Sequence, residues 1–417
     1  MEYARHDWVK VINLSTKFYA AQESGKLERE DYPVRWRQSA HEKDGRQCGL
    51  DLEGGYYDAA DYMKYTFPLA WTMTMLSWSA IEHRSTLEEL GLWDKYVHVI
   101  EHGAKWLMKA NPEQRTLVAV VGDPDIDHQS WGRPQDQIGP RPCMKVSRYA
   151  PGTDVAAEAA AALAAASQVM SDERQAEMAW IKAKQLYDFA DKHRGLYSKV
   201  VKEVKGYYEG DSYTDELAWG ALWLYRGSKL ESDKIKYMNR AKSAYKQFQL
   251  NKRVKSFNWD QKHAGVQLLM AELTYDKTYR AHVIAFCDHN MPHGGAKYTP
   301  GGLLFIEKWG VLRHALNIAF ICLRTSLLPG MDAIRTANYR NFAISQVIKG
   351  QTTRQCQLII HSSIIFSARM VAPSWLAMAR TIPTGLITER PVAHSLASVA
   401  GMHTRMTFQI LRHCWAH

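Results

Sequence analysis

The sequence predicts a mostly α-helical fold in which paired helices close into a ring. Three observations lead there. Apolar residues recur at three- and four-residue spacing through most of the chain. Strand-like alternation is weak and short. Helical stretches are joined by alternating short and long connections, and no fixed-period repeat marks an open solenoid, although a solenoid would fit the same pattern.

The helices are expected, in order, over Met75–Leu90, Tyr96–Ala110, Asp154–Met170, Arg174–His193, Asp215–Tyr225, Asp233–Leu250, His263–Leu273 and Val311–Leu323. The third is Ala-rich, with Asp154 near its start, where the helix dipole favours an acid. Between them lie 44–61, 121–153, 205–214, 251–262 and 289–310, rich in Gly, Pro, Asp and aromatics. Ordinary connections are short, so function is expected in these long ones.

A chain of 417 residues allows two or three domains or one large repeat-built domain. Its 46% hydrophobic and 23% charged content is that of a folded protein. No run of about 18 apolar residues occurs, so no membrane span is expected. The first residues carry charges where a signal peptide needs an apolar core, so none is expected there. The net charge is +10, but residues 326–417 hold nine Lys and Arg against two acids, while the rest is nearly balanced. A nucleic-acid partner is therefore not expected. Cysteines at 48, 143, 287, 322, 356 and 414 form no C-x-x-C pair and no zinc spacing, and read as free or buried thiols.

Three groups of loop residues carry chemistry. The first is LEGGYYDAADYMKYTFP (52–68), where Asp58 and Asp61 lie three apart, a spacing that on a helical turn puts both on one face. Two close carboxylates can hold a water and make one a general base; the pattern also fits a solvated, capped turn. The second is VGDPDIDHQSWGRPQ (121–135), with His128 and Trp131 suited to a sugar or polar ligand, or to a structural turn. Its Asp-x-Asp-x-Asp run lacks the Gly and Glu of a calcium loop, since His128 and Pro134 stand there. The third is aromatic: Tyr207, Tyr208, Tyr213, Trp219, Trp223, Tyr225, Phe257, Trp259, Tyr298, Phe305 and Trp309. Tyr and Trp can stack on sugar rings and hydrogen-bond their hydroxyls. The Trp219/Trp223 spacing reads as core, and Tyr213, Trp259 and Trp309 as cleft candidates. Arg313 could bond a sugar hydroxyl or pair with Glu307. Nucleotide, zinc-peptidase and serine-hydrolase motifs are absent from the sequence.

These segments, in this order, resemble glycoside hydrolase family 9, the animal and plant endo-β-1,4-glucanases (cellulases). FYAAQESGKL (18–27), VRWRQSA (34–40), DLEGGYYDAADYMKYTFPLA (51–70) and VGDPDIDHQSWGRPQD (121–136) come first. RYAPGTDVAAEAAAALAAAS (148–167), YTDELAWGALWLYR (213–226), NWDQKHAGVQ (258–267) and YTPGGLLFIEKWGVLRHALNIAF (298–320) follow. The likeness covers about residues 10–350. It implies an all-α (α/α)6 barrel with an open cleft and an inverting mechanism. It implies Asp61 as general base, Asp58 helping to hold the water, and cleft contacts from His128, Trp131, Tyr213, Trp259, Trp309 and Arg313. It further implies a β-1,4-glucan substrate, no cofactor or metal, a monomer, no membrane or nucleic-acid partner, and an extracellular location. Ala60, Tyr62 and Gln261 depart from the family's common Gly, His and Asp. Ala60 would strain the turn if that Gly needs positive φ.

Inversion needs a second, protonated carboxyl. In the family it is a Glu in an Asn-Glu motif near the chain end. Here the only acids after Glu307 are Asp332 and Glu389, neither in that motif. The family's Arg-Pro-His-His-Arg loop is also missing; Arg390-Pro391-Val392-Ala393-His394 is its nearest echo. The resemblance fades after Asn338–Gln346. Reading the codons of HTRMTFQILRHCWAH (403–417) from their third base permits Tyr-Lys-Asp-Asp-Phe-Pro-Asp-Thr-Ala-Ala-Leu-Leu-Gly-Pro, which looks like a segment that precedes the acid in the family. The expectation is a catalytic domain over 1–350, a barrel incomplete at its C-terminal end, and an out-of-frame tail over 351–417.

Overall fold

The computed structural model describes residues 8–27, 32–59, 61–129 and 131–352. The expected tail over 351–417 lies outside them, apart from the last two helical residues, 351 and 352. The described chain runs α1 (Trp8–Gln22), β1 (Lys64–Tyr65), α2 (Thr66–Glu82), α3 (Arg84–Glu89), α4 (Trp93–Ala110), β2 (Thr116–Val121), α5 (Pro124–Asp127) and β3 (Cys143–Ser147). It continues with α6 (Thr153–Ala166), α7 (Glu173–Lys192), α8 (Thr214–Gly227), α9 (Glu231–Gln247), α10 (His263–Thr274), α11 (Lys277–Asn290), α12 (Val311–Thr325) and α13 (Ala333–Thr352).

Among the described residues, α2, α6, α8, α10 and α12 make an inner layer, each packed on the next. Each pairs with an outer helix: α4, α7, α9, α11 and α13 respectively. Sequence composition sets the layers. Every residue of α6 is buried, and a helix apolar all round belongs inside. Its alanines allow α2, α7 and α8 to approach closely. α9 is polar and buries little beyond Tyr237, Ala241, Ala244 and Tyr245, as an outer helix should. Trp71 and Trp78 of α2 meet Trp219, Trp223, Phe257 and Phe320 edge-on or tilted, with centroids 4.8–6.2 Å apart, so Trp219 and Trp223 are core.

The expected helices are found with ends shifted by a few residues, except that Met75–Leu90 is broken at His83 into the end of α2 and the short α3. α2 begins nine residues before Met75, because TFPLAW is buried all round and shows no amphipathic stripe. α1, α11 and α13 also form where no helix was expected. A small sheet adds to the helices: β1–β2–β3, antiparallel throughout, with Lys64 opposite Val121 and Tyr65 opposite Val120. β2, TLVAVV, is a short apolar run without alternation because five of its six residues are buried.

One sequence reading is corrected. Cys48 and Cys143 are not free thiols but a disulfide. The chain brings the 44–61 connection against β3, a proximity that spacing along the sequence does not reveal. Cys287 and Cys322 are free and buried, as expected.

Candidate active site

The inner helices all begin at one end of the ring, and the long connections gather there. The sheet explains how the first two meet. β1 directly follows Asp58–Met63 and β2 directly precedes Gly122–Trp131, so pairing β1 with β2 lays these loops side by side. Asp61 and His128, 67 residues apart, come into hydrogen-bond contact as a result. Asp44 fastens the assembly, accepting Arg141 at 2.6 and 3.1 Å and pairing with buried Lys64 at 2.7 Å. Gly55 enters the loop at φ 74°, and a Cβ there would lie 2.5 Å from the Trp106 ring.

The two carboxylates sit in a tight turn, Asp61 N–H donating to Asp58 O at 3.1 Å. Between them Ala59 adopts φ 38°, a left-handed conformation costly for an L-residue. Ala60, where strain was expected, lies outside the described residues. Asp61 is buried; its Oδ1 accepts the Met63 N–H at 3.0 Å and its Oδ2 accepts His128 Nε2 at 3.1 Å. His128 Nδ1 faces the Tyr207 hydroxyl at 3.1 Å, and its ring stacks on Trp131 at 5.6 Å. Asp58 accepts the Tyr208 hydroxyl on both oxygens, at 2.8 and 2.7 Å.

Burial pushes both carboxyls up. Asp58, enclosed by protein and beside Asp61, rises to about 8 despite the Tyr208 bond. Asp61 rises to about 6, held back by its bond from His128. In turn the Asp61 bond raises His128. Burial and mutual repulsion therefore keep the pair from carrying two negative charges together, and the His128 bond favours charge on Asp61. Asp61, Asp127 and His128 also offer ligand atoms within 4.8 Å of one another, a set that a divalent ion could share. Asp127 is engaged there by Gln137 at 2.6 Å and the Tyr62 N–H at 3.2 Å.

The Glycosyl hydrolase family 9 profile matches residues 8–349. The chain belongs to glycosyl hydrolase family 9. Endoglucanase 7 of Oryza sativa subsp. japonica is 37% identical over 354 residues, 80% of this chain and 66% of that one. Endoglucanase B of Cellulomonas fimi is 36% identical over 82% of this chain and 33% of its own. The chain spans 66%, 62% and 63% of the length of three rice relatives. Among solved structures, the endoglucanase of the termite Nasutitermes takasagoensis aligns with TM-score 0.78 at 37% identity, over 83% of this chain and 78% of that one. Clostridium thermocellum CelQ, solved with cellobiose and cellotriose, aligns with TM-score 0.73 at 27% identity, over 83% of this chain and 56% of that one. The fold is thus the (α/α)6 barrel of family 9, of which the described residues supply five inner–outer helix pairs.

Within this family 9 barrel, the expected site residues fall unevenly. Asp58, Asp61, His128 and Trp131 form one connected group. Trp259 meets Tyr208 edge-on at 5.1 Å, one ring away from Asp58. Arg313, at the start of α12, is desolvated and feels both Asp58 and Glu307. Trp309 is 60% exposed. Tyr213 precedes α8 and is half-buried against the core. Tyr207 and Tyr208, which the sequence offered only as members of an aromatic group, are the tyrosines that bond His128 and Asp58. Adjacent identical residues leave no spacing signal to say which partner each takes.

Proposed function

We propose that this chain is built as an endo-β-1,4-glucanase, hydrolysing internal β-1,4-glucosidic bonds with inversion. The observation that carries the reading is the Asp58–Asp61 pair, with Asp61 oriented by His128 and Met63 N–H and aromatic rings around both. Asp61, ionised above about pH 6, takes a proton from the attacking water. Asp58, fixed by Tyr208, holds that water. His128, Trp131, Tyr213, Trp259, Trp309 and Arg313 are the proposed glucan contacts, stacking on sugar faces and bonding hydroxyls. Secretion and a monomeric state accompany this reading.

The leaving-group acid is the weak point. Asp332 caps Arg335 N–H at 2.8 Å and pairs with its guanidinium at the start of α13. α12 lies between it and the cleft, and 15 residues of helix span about 20 Å. Glu307 is engaged by His314 at 2.6 Å. Glu389 lies outside the described residues. Without the acid the rate would fall by about 10²–10⁴-fold, and this favours a second reading, a β-glucan-binding relative that does not cut.

Reducing-end release from carboxymethylcellulose, measured beside pull-down on insoluble cellulose, separates the two. Release exceeding that of an Asp61→Asn control supports the enzyme. Binding without release supports the binding relative. Neither binding nor release overturns both.

A further inference from the structure

Tyr62 stands where the family commonly has His, and its surroundings give it work. Its backbone N–H donates to Asp127 Oδ2 at 3.2 Å. Its hydroxyl accepts the Gly132 N–H at 3.0 Å and donates to the Gly132 carbonyl. A hydroxyl can donate and accept at one atom; the two ring nitrogens of a histidine point apart and could not serve both the N–H and the C=O of one residue in this way. The Tyr62 ring is held edge-on by Tyr57 at 5.8 Å and tilted against His41 at 6.2 Å. Gly132 follows Trp131, which stacks on His128, which bonds Asp61, the residue before Tyr62. The contacts form a closed circuit around the base.

We propose that Tyr62 is a positioning residue: its hydroxyl clamps Gly132 and thereby fixes the Trp131 wall of the cleft in register with Asp61. The role rests on the glucanase reading above. A glucosyl ring stacked on Trp131 is then placed relative to the base by a rigid brace. Tyr62 itself bonds neither Asp61 nor His128, so loss of the clamp acts first on glucan binding, through Trp131.

The test is Tyr62→Phe, which keeps the ring and its packing and removes the hydroxyl. Hydrogen–deuterium exchange at the Gly132 amide reports the clamp directly and needs no activity. Calorimetry with cellotetraose reports binding, and turnover on the same sugar reports chemistry. The expected result is faster Gly132 exchange and a Kd raised by about 2- to 10-fold, the worth of one hydrogen bond. Turnover at saturation should stay within about twofold. Unchanged exchange overturns the clamp; faster exchange with unchanged Kd overturns the positioning role. If Tyr62→Phe does not fold, the wild-type amide still decides, because exchange there at the rate of an unstructured peptide overturns the proposal. A wild type that ignores cellotetraose but protects Gly132 refutes the glucanase reading, and with it the positioning role, while leaving the clamp standing.

Discussion

Asp61 is a carboxylate kept partly protonated by burial and kept useful by one histidine. The His128 bond favours its charged form. His128→Ala should therefore raise the Asp61 pKa and move the acid limb of the pH–rate profile above its place near pH 6. A limb that stays or moves down refutes the assignment. Ala59 gives a second test at this scale. Its φ of 38° suits glycine, so Ala59→Gly should stabilise the fold by up to about 1 kcal/mol in urea denaturation. The carboxylate pair was legible because it sits in one short motif. The bonds that define it were not: Tyr208 reaches Asp58 across 150 residues, and His128 reaches Asp61 only because β1 and β2 pair.

At the scale of elements, α6 was legible from alanine content and the outer helices α4, α7 and α9 from their periodicity, whereas α11 and α13 were not expected. Fully buried segments were harder. The first turns of α2 and all of β2 present no polar face, so period gives no signal. The inner ring is also tied by charge, away from the cleft. Glu82, at the end of α2, takes Arg226 of α8 at 2.7 Å and Arg324 of α12 at 2.9 Å. Arg324 further bonds Glu272 of α10 at 2.8 Å. Burial would raise the Glu82 pKa, but the two arginines outweigh it and hold the carboxyl below its ordinary 4.5. The stabilisation is present above that value and fades as pH falls through the lower, folded one. Arg324→Ala leaves Glu272 unpaired and Glu82 with Arg226 alone, and should cost about 3–5 kcal/mol in chemical denaturation.

For the whole molecule, the +10 charge sits mostly in residues 326–417, and the rest of the chain is near balance. Fold class and family were readable because many short motifs occur in one order; the Cys48–Cys143 link was not, because 95 residues separate the partners. That link fastens the 44–61 connection to β3 beside the carboxylates. Cys48→Ser should lower stability by about 2–4 kcal/mol, read as a drop in thermal midpoint that reductant reproduces in the wild type. An unchanged midpoint would show that the Asp44 ion pairs suffice to hold the loops.

Inner helices begin at the cleft and outer helices end there, so turns such as 167–172, 228–230 and 275–276 lie on the opposite face. That face is a handle. An affinity tag or a fused module placed after Lys229 meets solvent, not substrate.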